Sequence, residues 1–137
     1  DWEDPDMTQR LVSLQTDREA YTRRFVEVIH ATPQPEEYLD ALTQAALSTP
    51  TNAAAIMIAN LMLMGPTDLS PALEASDRPV LLVFSSLDWA VAEAEQIRAR
   101  WPGLPVEVID NTSHALFVDQ PEDFNRVLES FLATVHQ

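Results

Sequence analysis

Residues Arg78-Pro79-Val80-Leu81-Leu82-Val83-Phe84-Ser85-Ser86-Leu87-Asp88, and further on Val106-Glu107-Val108-Ile109-Asp110-Asn111-Thr112-Ser113-His114, decide the fold. Residues 80–84 are a continuous β-favouring run, the pattern of a strand buried on both faces. Residues 89–101 read as an amphipathic helix closed by Pro102-Gly103, and residues 106–109 as a second strand. From Pro121 to about residue 135, Phe124, Val127, Leu128, Phe131 and Leu132 fall on one face of a further helix. Strand, helix, strand, helix predicts a parallel βαβα unit with a right-handed crossover, placing residues 78–137 in the α/β class.

Upstream the periodicity is purely helical. Leu11, Leu14, Tyr21, Phe25, Val28 and Ile29 recur at helical spacing over residues 6–30, with a break expected near Thr16-Asp17, and Pro33 and Pro35 end the pattern. A second helix is predicted over 35–47, with proline in its first turn. A third is predicted over 53–64, apolar nearly all round and therefore expected to be buried. Residues 65–71 read as a loop, with a short helix or turn through Glu74. The chain thus divides near residue 77.

Composition excludes several classes. The 137 residues suffice for one domain with a core. Acidic residues outnumber basic ones 22 to 8, and the net charge of -14 argues against nucleic acid, which is bound by neutralising phosphates. No apolar run reaches membrane-spanning length, and the acidic start lacks a signal peptide's basic and apolar regions, so a cytoplasmic protein is expected. Without cysteine there are no disulfides, thiolate metal sites or thiol nucleophiles. The two glycines, Gly65 and Gly103, cannot build a phosphate-cradling loop or a G-x-S-x-G nucleophile elbow. No spacing of His or carboxylate predicts a metal, and no cofactor is expected.

Two residues carry the chemistry. Asp88 lies four residues past the first predicted strand and His114 five past the second, so parallel strands deliver both to one carboxyl edge, where open α/β sheets bind ligands. A carboxylate on one imidazole nitrogen, with the other nitrogen facing a cleft, is the acid–base pair of a hydrolytic triad. Each residue also has a structural reading: Asp88 as a turn former or helix cap, His114 as a surface residue.

The same stretches resemble the α/β-hydrolase superfamily. Residues 78–88 resemble its penultimate core strand and acid turn, residues 106–114 its last strand and histidine loop. Ala115-Leu116-Phe117-Val118-Asp119-Gln120-Pro121-Glu122-Asp123-Phe124-Asn125, continuing to Phe131-Leu132, resembles its closing P-E-x-F-x(6)-F-L helix. The resemblance spans about residues 78–135 and keeps the order and spacing of acid and histidine, in agreement with the family's chain order of nucleophile, acid, then histidine. It implies that residues 1–77 are a helical cap and 78–137 the C-terminal part of the core, of the esterase, haloperoxidase-like or carbon–carbon hydrolase type. The substrate would be small, apolar and ester-like. The nucleophile, serine or the aspartate of dehalogenases, and the oxyanion hole would come from an N-terminal half, possibly a separate chain, and this chain alone would not turn over. Where the family has G-x-x-D and G-x-G-H, this sequence has Ser85-Ser86-Leu87-Asp88 and Asn111-Thr112-Ser113-His114; Asn111 and Ser113 can both adopt tight turns, Asn more readily at positive φ. A non-catalytic binding or structural domain on the same scaffold is the alternative.

Around the pair, Trp89 reads either as a pocket wall or as a helix-start packing residue. Leu116 is placed at the pocket and Phe117 in the core. Met57, Met62 and Met64 read as core or cap packing rather than an acyl pocket. Ser85, Ser86 and Ser113 sit in no elbow and are not read as nucleophiles. Asn111-Thr112-Ser113 matches a glycosylation acceptor but reads as a turn. His30 and His136 read as helix-end or solvated residues, and Glu93, Glu95, Asp119, Glu122 and Asp123 as solvated faces and helix N-terminal charges.

Overall fold

In a computed structural model, the described residues are 7–63 and 70–135, with side chains at Met7 and residues 61–63 left aside. Asp1–Asp6, Met64 and His136 lie outside them, as do the side chain of Met62 and most of the loop expected over 65–71. The described residues fall into two compact units. The first comprises those up to Val28 and those from Gln34 to Leu63; the second comprises Ile29–Pro33 and those from Ser70 onward.

The first unit is all helix: α1 (Met7–Thr16), α2 (Arg18–Val28), α3 (Glu36–Leu47) and α4 (Thr51–Leu63). The expected break falls on Asp17, whose Oδ1 accepts the Ala20 N–H at 3.2 Å and so caps α2. Pro35, at φ -57° and ψ 140°, precedes α3, and Glu36 and Glu37 occupy its first turn, where the helix dipole favours negative charge. α2 packs on α3 and α1 on α4. The core is Leu14, Val26 and Ala55, and burying Leu14 and Val26 contributes about 1.5–3 kcal/mol each. Thr22 and Thr43, also buried, satisfy their hydroxyls on the carbonyls of Arg18 and Leu39, both at 2.7 Å. Arg23 joins α2 to α3 through Glu36 and Asp40, and also pairs with Glu27.

The expectation for α4 needs correcting. Ile56 is 59% and Met57 67% exposed, so the helix is not buried despite its composition. Near-uniform apolarity cannot select a face, and among its described side chains Ala55 is buried while Ile58 and Ala59 are half-buried.

The second unit contains α5 (Ser70–Ala75), β1 (Leu82–Ser85), α6 (Asp88–Arg100), β2 (Val106–Ile109), α7 (Leu116–Asp119) and α8 (Pro121–Val135). The strands are parallel, with Leu82 opposite Val106 and Ser85 opposite Ile109. β1 begins at Leu82, two residues later than expected, because its ladder starts where Leu82 N–H reaches the Pro105 carbonyl at 3.0 Å. Nor is β1 buried on both faces: in a two-stranded sheet Leu82, Val83 and Phe84 remain half-buried and only Ser85 is enclosed. α6 presses the small residues Ala90 and Ala94 against the strands, and Arg98 Nη2 donates to the Val106 carbonyl at 2.8 Å. It stops at Trp101, at φ -128° and ψ 77°, because the residue before a proline is driven out of the helical region. On α8, Phe124, Val127 and Phe131 are half-covered while Leu128 and Leu132 remain exposed. No described helix is long and apolar enough to cross a membrane.

Candidate active site

Two loops leave the carboxyl edge of the sheet side by side. After β1 the chain runs through Ser86 and Leu87 into α6, whose first residue is Asp88. Asp88 is solvent-exposed, and its charge lies in the first turn, where the helix dipole stabilises it. After β2 the chain turns sharply at Asn111, the described non-glycine residue with positive φ, at 56°. The Asn111-Thr112-Ser113 segment is therefore a turn, and asparagine supplies the left-handed conformation without the penalty a branched side chain would meet.

Ser86 and Thr112 bind the two loops together. Ser86 N–H donates to Thr112 Oγ1 at 3.2 Å, and Thr112 N–H donates to Ser86 Oγ at 3.1 Å. Ser86 Oγ–H donates to the Thr112 carbonyl at 3.2 Å, and Thr112 Oγ1–H to the Ile109 carbonyl at 2.5 Å. These bonds supply partners to polar groups that leave the ladder beyond Ser85 and Ile109, with Thr112 only 2% exposed.

His114 follows, exposed, at the rim. Its ring lies beside that of Trp89, with centroids 6.1 Å apart and planes tilted by 39°. Trp89 is itself 62% exposed, so both rings lie open to solvent. Asp88, Trp89 and His114 thus share one edge, but no hydrogen bond or ion pair joins the Asp88 carboxylate to the His114 ring among the described residues. Leu116 opens α7 and is half-buried. Phe117, expected in the core, is instead 57% exposed and meets Phe124 edge-on at 6.0 Å, because the single turn of α7 directs it outward.

Asp119 corrects the sequence reading most. Expected on a solvated face, it is 7% exposed, and its carboxylate accepts hydrogen bonds from the N–H groups of Ala31, Thr32 and Ser113 and from the Thr32 hydroxyl. Burial would raise its pKa, but the bonds from Ala31, Ser113 and Thr32 outweigh that and hold it below the ordinary carboxylate value. Nothing local to Val118-Asp119-Gln120-Pro121 signals these partners. His30 lies beyond the end of α2, half-buried in the segment that contributes to this unit.

A groove of about 340 Å³, lined by Leu81, Pro105, Val127 and Phe131 among others, lies at the opposite, amino end of the strands and includes neither Asp88 nor His114. The described residues contain no group of three or more metal-ligating side chains placed to hold an ion.

No family model matches the sequence. A curated relative, the pimeloyl-[acyl-carrier protein] methyl ester esterase of Serratia marcescens, is 28% identical over 94 residues, which are 67% of this chain and 37% of the esterase. The chain therefore matches little more than a third of that relative's length, and what it is similar to is an ester-cleaving enzyme.

Proposed function

We propose that the chain supplies the acid, Asp88, and the base, His114, of an α/β-hydrolase that cleaves an ester-like or acyl bond in a small apolar molecule. The observation that carries this reading is the parallel pairing of β1 and β2, which sends the segments bearing both residues to one edge of the sheet. Similarity to a methyl ester esterase supports the bond type.

In this reading the Asp88 carboxylate accepts a hydrogen bond from one imidazole nitrogen, fixing the tautomer and steadying the imidazolium. The other nitrogen takes the proton of a hydroxyl nucleophile as its oxygen attacks the acyl carbon. His114 returns that proton to the departing alkoxide, and water then repeats the cycle on the acyl-enzyme. Such hydrogen bonds tighten when substrate and nucleophile complete the site, so Asp88 closes on His114 only in the assembled enzyme. Trp89 and Leu116 flank the acyl group, giving an apolar wall beside the base.

The nucleophile comes from outside these 137 residues, because Gly65 and Gly103 cannot form a nucleophile elbow. A preceding segment or companion chain provides it, together with the oxyanion hole, and residues 1–77 serve as the helical cap. The cysteine-free sequence fits the cytoplasm. The test is to compare His114→Ala with the parent, joined to the nucleophile-bearing part, on short p-nitrophenyl esters. A loss of about a thousandfold or more in kcat is expected, as for removal of a triad member. Retention within about tenfold removes His114 from the mechanism.

The missing Asp88–His114 hydrogen bond favours one other reading, a non-catalytic binding or structural domain on the hydrolase scaffold. It predicts no esterase turnover from any assembly containing this chain.

A further inference from the structure

The His114 loop is tethered on both sides of the histidine. Ser113 N–H, immediately before it, donates to Asp119 Oδ2 at 2.9 Å. Ala115 N–H, immediately after it, donates to the Ile29 carbonyl at 2.9 Å. Asp119 also grips the segment holding Ile29: Ala31 N–H donates at 2.9 and 3.0 Å to its two oxygens, and the Thr32 N–H and hydroxyl donate to Oδ1 at 3.0 and 2.9 Å. One buried carboxylate therefore joins the residue before the histidine to the segment that receives the residue after it.

We infer that Asp119 is a positioning residue for His114, locking the backbone from which the imidazole projects, an inference that rests on the reading of His114 as the base. The chemistry calls for a carboxylate. Its two oxygens, both acceptors, meet several converging donors in a buried site, where charge-assisted bonds are strong and an orphaned N–H is costly. Asparagine would keep one acceptor and turn an NH2 group toward N–H donors. Because its oxygens are already engaged by backbone and Thr32, Asp119 is not an alternative acid partner for the imidazole. Its lowered pKa agrees with an ionised group at neutral pH. Small displacements of a catalytic group lower kcat more than they weaken binding.

The test is Asp119→Asn in the assembled enzyme, with amide exchange followed by NMR in the 137-residue chain. In the assembled enzyme, kcat should fall about a hundredfold with KM within about threefold. The Ser113 amide should exchange at least about tenfold faster while α8 amides keep their rates. A variant with kcat within about twofold of the parent, or with unchanged Ser113 exchange, overturns the inference. If the variant does not fold, Thr32→Val, which keeps the charge and deletes the hydroxyl bond, should lower kcat about threefold and speed Ser113 exchange, and no change in either overturns it. The His114→Ala control separates the two ideas. If it loses less than about tenfold, the hydrolase reading has failed; Ser113 exchange in Asp119→Asn still judges the tether.

Discussion

Ser86 and Thr112, one following each strand, exchange backbone-to-hydroxyl hydrogen bonds in both directions, at 3.2 and 3.1 Å. The clamp extends the parallel pairing past its last register pair and keeps the two loops together where the sheet no longer does. Thr112→Val preserves shape but removes the acceptor of Ser86 N–H and the donor to Ile109. The expected cost is about 1–3 kcal/mol, read as a lower urea midpoint with an unchanged m-value. A midpoint equal to the parent's would mean that the clamp contributes nothing to stability.

Asn111 takes positive φ at the head of the histidine loop. Replacing it with glycine should leave stability within about 0.5 kcal/mol of the parent, whereas valine should cost about 1–2 kcal/mol because of its branched Cβ. Thermal melts of the two variants check this ordering. Equal loss in both would mean that the Asn111 side chain matters rather than its backbone.

Asp119 gives the second unit an acid-sensitive element. Its folded pKa is lowered, so its contribution is complete above the unfolded value, about pH 4. It is lost as the pH falls further, through the folded value. The parent should therefore lose stability on acidification below about pH 4, and the stability of Asp119→Asn should fall less steeply there. Urea midpoints measured across that range decide it, and parallel curves for the two proteins would contradict the prediction.

Much of this was legible in the sequence where a local pattern carried the information. β2 and α8 stand where Val106–Ile109 and the proline-started stripe to residue 135 place them. Asp17 breaks the first helical stretch where expected, because its side chain can cap the next helix. What was not legible depends on distant partners. Apolar periodicity could not tell that Ile56 and Met57 would remain exposed, since burial requires a neighbour that a single helix does not specify. α7, at four residues, is too short to show a period. Asp119 looked like any acidic residue before a helix, and its role follows from donors 87 and 88 positions away together with Ser113 six positions back. In the candidate site, strand order predicted that Asp88 and His114 would leave one edge. It also implied a hydrogen bond from the imidazole to the carboxylate, and among the described residues none joins them, because Asp88 opens α6 as an exposed first-turn residue.

The claim that Asp88 and His114 act as one unit is tested most directly by a double-mutant cycle on kcat in the assembled enzyme. Asp88→Asn and His114→Ala are made singly and together. Residues that act together in a triad are strongly non-additive, so the double variant should be no slower than His114→Ala alone, within about threefold. Multiplied losses in the double variant would contradict the account, because they would mean that Asp88 acts without His114.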